Sequence, residues 1–174
     1  MAATQSNLID ETWIRQNTSI SDHVDIKLIT PFIPISQDML YGGCKGLFGD
    51  DLYNRLKQGN QDGNLSANEI YLLELGRPAL AWYICHLAVG EIATQIRGAG
   101  VGRTKNDNFE SASKEEVDSK AFKYKNFADF YSQKVIEYLK NNYALYPQYT
   151  LNSPKLYEGG IFFGSKGRRG KCCR

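Results

Sequence analysis

The side chains best suited to chemistry in this chain are two histidines and four cysteines. A zinc site asks for about four ligands, usually in paired spacings. Cys85 and His86 are adjacent in an apolar helical stretch and so leave a helix on different faces. His23 lies in a polar turn. Only ligands pooled between subunits would complete a metal site, and the sequence predicts none. A Cys–His nucleophile pair, Cys44 with His86, is compatible with the residue types present. No nucleophile motif surrounds either residue, and both read as packing groups. The acidic pairs Asp50–Asp51 and Glu115–Glu116 sit at predicted helix starts, where the positive end of the helix accounts for them without acid–base work. The string GAGVG at Gly98–Gly102 follows a helix, whereas the dinucleotide fingerprint follows a strand and opens a helix. Neither a P-loop nor a G-x-S-x-G sequence occurs. These residues predict no enzyme, no catalytic residue, no metal and no cofactor.

The elements that would carry any site are helices. In the N-terminal part, Ser6 is suited to cap a short helix through Arg15, with Leu8, Ile9 and Trp13 as its apolar side. Asp22 or Asp25 can open the next helix. Leu28, Ile29, Phe32, Ser36, Met39 and Leu40 recur at helical spacing. Pro31 and Pro34 oppose that pattern, which predicts a kink or a regular helix starting near Pro34. Asp50 is the expected cap of a short helix with Leu52, Tyr53 and Leu56, ended by Gly59, and GNQDGN follows as a polar turn.

The clearest start signal is Ser66-x-x-Glu69, a capping box before an apolar run. The helix it opens is expected to run toward Arg97, with Leu72, Leu73, Gly76, Ala79, Leu80, Tyr83, Ile84, Leu87 and Ala88 buried and Pro78 kinking or dividing it. A hairpin or extended loop is expected near 98–112, turning near Asn106 to Asn108. Ser113 and Glu116 form a second capping box. The long helix beyond it carries a seam of Val117, Ala121, Tyr124, Ala128, Tyr131, Val135 and Tyr138, widened by Phe127. Phe122 and Phe130 lie off that seam, free to touch a second neighbour. Pro147 stops helical order.

The expected organisation is therefore mainly α: a bundle of about four to five helices over 1–149 with a small β-hairpin insertion, then an extended C-terminal arm over 150–174. The arm holds Tyr157 and the triplet Ile161, Phe162 and Phe163, bracketed by glycines. An apolar triplet so placed suits docking to a partner or folding back on its own domain. The tip carries Lys166, Arg168, Arg169, Lys171 and Arg174, five of the 21 basic residues. The other 16 face 19 acidic residues, so the body has net charge −3. A cationic tip on an acidic body suits an acidic surface or a DNA backbone, or simply solubilises the end. Arg97, Arg103 and Lys105 near the hairpin add to this. No helix shows a basic recognition face, so the nucleic-acid reading is limited to backbone contact. The cysteines suggest no disulfide framework, which fits a reducing compartment. No signal peptide and no membrane span are expected.

Several strings then line up in order: NLIDETWIRQNTSISDHVDIKLITPFIPISQDM, LFGDDLYNRL, ELGRPALAWYICHLA, GVGRTKNDNFESAS and FADFYSQKVIEYLKNNYALYPQY. Together, over about Asn7 to Tyr149, this sequence resembles the head–tail connector (adaptor, neck-ring) proteins of tailed phages, in the form found in phages of Bacteroidetes, including crAss-like phages. The resemblance implies a structural virion protein, present in host cytoplasm during assembly and in the virion neck or tail thereafter. It implies a homo-oligomeric ring, commonly a dodecamer, beneath the portal protein and against other neck or tail ring proteins, continuing the DNA channel, with no membrane partner. By the same resemblance, Val101, Arg103, Lys105 and Phe109 of the hairpin belong to an interface or to the lumen. Tyr157, Ile161, Phe162 and Phe163 bind a partner. The five basic tip residues are outside the resemblance; by their charge alone they are expected to contact packaged DNA or another acidic surface. The tail past Gly164, with Cys172 and Cys173, departs from that pattern.

Overall fold

The structure is a computed structural model that describes residues 7–43, 46–97, 100–103 and 113–149. Among the described residues, five α-helices and one two-stranded ladder follow in order: α1 (Glu11–Asn17), α2 (Phe32–Tyr41), α3 (Gly49–Asp62), α4 (Ala67–Ala93), β1 (Thr94–Arg97), β2 (Gly100–Arg103) and α5 (Lys114–Asn141). The mainly helical bundle with a small hairpin expected from the sequence is the observed architecture.

The two long helices form because both capping boxes close. Ser66 N–H donates to Glu69 Oε2 at 2.7 Å and Glu69 N–H to Ser66 Oγ at 3.3 Å. Ser113 and Glu116 repeat the exchange at 2.7 and 3.2 Å. Two orphan backbone donors are satisfied at each start. The buried face of α4 is close to the expected one, with Leu72, Leu73, Ala79, Leu80, Tyr83, Ile84 and Ala88 all buried. Ala81 and Cys85 are buried as well, because α4 is the central helix. It packs against both α2 and α5, while α2 and α5 have at most marginal contact. Pro78 does not divide α4, which stays one helix across it.

Elsewhere the structure moves several boundaries. Asp10, not Ser6, caps α1, accepting from Trp13 N–H at 2.7 Å, and Ser6 lies outside the described residues. Asp25 caps a single 3₁₀ turn, Ile26–Leu28. Helix α2 begins at Phe32, which puts Pro34 in the first turn, where a missing N–H costs nothing. Its buried face is Ile33, Ser36, Gln37, Leu40 and Tyr41, and Met39 is exposed. The shift has a polar cause: Gln37 turns inward to accept from Leu8 N–H at 2.6 Å, pinning the N-terminal segment.

Asp50 does not cap α3, whose N-cap is Phe48; its Oδ1 accepts from Gly43 N–H at 2.7 Å instead. Gly59 does not end α3 either. The helix runs to Asp62 and stops at Gly63, whose φ of 67° is the left-handed conformation of a C-cap glycine. The supposed polar turn GNQDGN is thus mostly helix. Gly59 faces inward, where an added Cβ would meet Leu65 Cδ2 at 2.5 Å.

The hairpin is displaced toward the N-terminus. Helix α4 ends at Ala93 rather than near Arg97, and the antiparallel register is Thr94↔Arg103, Gln95↔Gly102, Ile96↔Val101 and Arg97↔Gly100. The antiparallel ladder requires a reversal between Arg97 and Gly100; the turn expected near Asn106 to Asn108 lies outside the described residues. Thr94 and Ile96 favour the pleated conformation, and the flanking glycines favour an early reversal. On α5 the seam also includes Ser132, Ile136 and Leu139, while Val117, Ala121, Tyr131 and Tyr138 are half-buried. A 3₁₀ turn, Tyr143–Leu145, precedes Pro147. Buried Tyr146 closes the end, donating to Asn68 O at 2.9 Å at the start of α4.

Candidate interaction surface

The chemistry-bearing residues do not converge. His86 Nδ1 lies 3.0 Å from Ala121 O and, since a carbonyl only accepts, donates to it, tying α4 to α5. His23 is exposed in its turn. Cys85 is buried, and burial pushes its thiol up to about 11, away from nucleophilic use near neutrality. Cys44 lies outside the described residues. Among the described residues, no group of three or more His, Cys, Asp or Glu side chains is placed to hold a metal ion, and no helix is long and apolar enough to cross a membrane.

The charged groups that do meet are structural. Arg55 bridges α3 to the α4 capping box: its Nε lies 2.9 Å from Glu69 Oε1 and a second nitrogen donates to Glu69 Oε2 at 3.1 Å. Tyr53 donates to Asp38 Oδ1 at 2.6 Å, joining α3 to α2, and this bond together with burial raises the phenol above its ordinary range.

What the fold leaves outside is apolar. On α2, Ile35 and Met39 are exposed one turn apart. At the start of α4 and the end of α5, Ile70, Tyr71, Tyr143 and Leu145 are exposed, with the Tyr71 and Tyr138 rings 5.3 Å apart. Along α5, Phe122 is 65% and Phe130 55% exposed, as expected for residues off the seam.

An open apolar groove of about 420 Å³ lies between α4 and α5, lined by Trp82, Phe127, Phe130 and Tyr131. Trp82 packs edge-on to Phe127 at 4.8 Å and tilts against Tyr124 at 5.4 Å. Tyr124 is fixed in turn by Ser19, which donates to its hydroxyl at 2.7 Å. Lysines rim the aromatics: Lys134 Nζ lies 4.5 Å from the Phe130 ring centre and Lys123 Nζ 5.7 Å from that of Phe127. Sequence periodicity placed Phe127 in the packing seam, yet the structure leaves it 37% exposed. Periodicity also missed that Phe127, Phe130 and Tyr131 surround one depression with Trp82, because Trp82 belongs to another helix.

Of the site residues expected from the sequence, Val101 stands opposite Ile96 and Arg103 opposite Thr94 in the ladder. Lys105, Phe109, Tyr157, Ile161, Phe162, Phe163, Lys166, Arg168, Arg169, Lys171 and Arg174 lie outside the described residues.

The described residues thus form a mainly helical bundle with an aromatic groove between α4 and α5 and exposed apolar side chains on several elements. Residues 44–157 match a family described as a family of unknown function (DUF6712). That match covers well over half of the 174 residues and spans α3 through α5, so the chain belongs to this family. No curated protein and no solved structure matches it.

Proposed function

We propose that this chain is a structural subunit of a ring in the neck of a tailed-phage virion, joining the portal to the tail and continuing the DNA channel. The observation that carries the reading is the placement of exposed apolar side chains on two flanks of one central helix. A head-to-tail ring needs two different patches per subunit, because each copy presents one face to the copy before it and another to the copy after. Ile35 and Met39 on α2 supply one, and Phe122 and Phe130 on α5 the other. Helices α2 and α5 both pack on α4 and scarcely touch each other, so the patches lie apart. The ordered sequence resemblance to head–tail connectors supports the choice of assembly. The hairpin, with Val101 and Arg103, and the C-terminal arm are the further elements offered to the portal, to sister copies or to the DNA backbone.

Many modest interfaces acting together provide the strength of such a ring. The test is the mass of the purified chain in solution, alone and with the portal protein. A ring, alone or on the portal, is the expected result. A strict monomer at high concentration that ignores portal and tail partners would overturn the reading.

A further inference from the structure

We propose that, before any assembly, the chain's own Ile161–Phe163 segment sits in the aromatic groove of Trp82, Phe127, Phe130 and Tyr131. This goes beyond the ring reading and stands whether or not the chain forms a ring.

The groove is preformed. Its walls come from the two longest helices, and Trp82 is braced by Tyr124 and Phe127. Its volume of about 420 Å³ is within the range of about 300–1,000 Å³ usual for binding clefts. Phe130 stands on it more than half exposed, with nothing among the described residues covering it.

Chain length makes the chain's own arm the favoured occupant. Tyr146 is anchored to Asn68 O, and Tyr149 N–H donates to Tyr146 O at 2.8 Å, so the described chain ends beside the start of α4. From Asn68 to Trp82 the rise along α4 is about 21 Å. The eleven residues 150–160 span up to about 36 Å when extended, enough to bring Ile161 to the groove with slack. A segment tethered this close has an effective concentration in the millimolar range, which a second copy matches only at similar protein concentration.

The chemistry also fits. Ile161, Phe162 and Phe163 form the one apolar triplet of residues 150–174, and Gly159, Gly160 and Gly164 free the backbone on both sides to follow a groove. The rim carries Lys123 and Lys134, and Glu158, three residues before the triplet in sequence, supplies a carboxylate of opposite charge. The basic tip starts only at Lys166, past Gly164, and so can extend away from that rim.

A photo-reactive benzoylphenylalanine at position 162 of the full chain tests this. Equal amounts of isotopically heavy and light protein are mixed before irradiation, and crosslinked peptides are read by mass spectrometry. The expected result is capture within one chain onto residues 82, 127, 130 or 131. Phe130→Asp should cut that capture about tenfold. Phe130 is exposed, so the substitution should leave the melting temperature nearly unchanged; if the variant does not fold, Lys134→Glu with Lys123→Glu serves in its place. Capture elsewhere on the chain, capture only between heavy and light copies, or no capture would each overturn the proposal. None of these outcomes bears on the mass measurement that tests the ring.

Discussion

Tyr41 provides the sharpest test of the packing argument. Its ring is almost fully buried and stacks on Phe48 with centroids 4.4 Å apart. Among the described residues its hydroxyl has no hydrogen-bond partner, and an added Cβ on Gly76 would lie 2.9 Å from that oxygen. A buried hydroxyl without a partner costs about 1–3 kcal/mol of desolvation. Tyr41→Phe keeps the stacked ring and removes the orphan group, so the variant should be more stable by about 1–2 kcal/mol. For a chain of this length, that raises the melting temperature by about 2–8 °C. Gly76→Ala in the native chain should destabilise by about 1 kcal/mol net, since the clash of about 1–3 kcal/mol outweighs the helix-propensity gain of about 1 kcal/mol. Combined with Tyr41→Phe, the clash with the oxygen disappears, and the two remaining neighbours, Phe48 Cζ and the Cζ of the ring at position 41, sit at an ordinary 3.4 Å. The double variant should therefore show a favourable coupling of about 1 kcal/mol or more in urea unfolding. A Tyr41→Phe variant less stable than the native chain would refute the reasoning, since it would mean the hydroxyl is satisfied.

Further outcomes follow from other contacts. Ser66→Ala removes one cap bond and should cost about 1 kcal/mol. Glu69→Ala removes the same box and the Arg55 ion pair, leaving the guanidinium on Asn64, so urea unfolding should show a loss of about 1–2 kcal/mol. Burial holds the Cys85 thiol up to about 11, from an ordinary 9.0, and the Tyr83 phenol up to about 12, from 10.0. The unfolded chain loses these protons first, so it binds fewer of them and stability falls as pH rises. Melting temperatures should hold below about pH 9 and drop between about pH 9 and 12; a flat profile there would contradict the burial. Ile35→Ser with Met39→Ser, and separately Phe122→Ser, should leave the isolated subunit's stability within about 0.5 kcal/mol while weakening assembly on the portal, read by sedimentation. Unchanged assembly in both would remove these patches from the ring interface.

The elements that local chemistry determines were the ones legible in the sequence. Ser66–Glu69 and Ser113–Glu116 are four-residue signals whose partners lie within one helical turn, so the starts of α4 and α5 could be read directly. The α4 face could be read too, because a helix with neighbours on several sides repeats small and large apolar residues at every turn. Signals that need a distant partner were misread. Asp50 looks like a cap until Gly43 claims its carboxylate, and Gly59 looks like a terminator until Leu65 is seen to occupy the space beside it. Met39 and Gln37 exchange places because Gln37 has a backbone donor, Leu8 N–H, 29 residues away.

The candidate surface divides along the same line. Sequence alone determined that Phe122 and Phe130 leave the seam of α5, that His86 and Cys85 point apart, and that the basic residues gather at one end, because helical period and chain order fix these. Only the tertiary structure decided that Trp82 of α4 joins Phe127, Phe130 and Tyr131 around one groove, that α2 and α5 flank α4 apart from each other, and that the hairpin reverses between Arg97 and Gly100. Each depends on how separate elements are brought into register, a matter of side-chain packing across tens of residues that no local periodicity encodes.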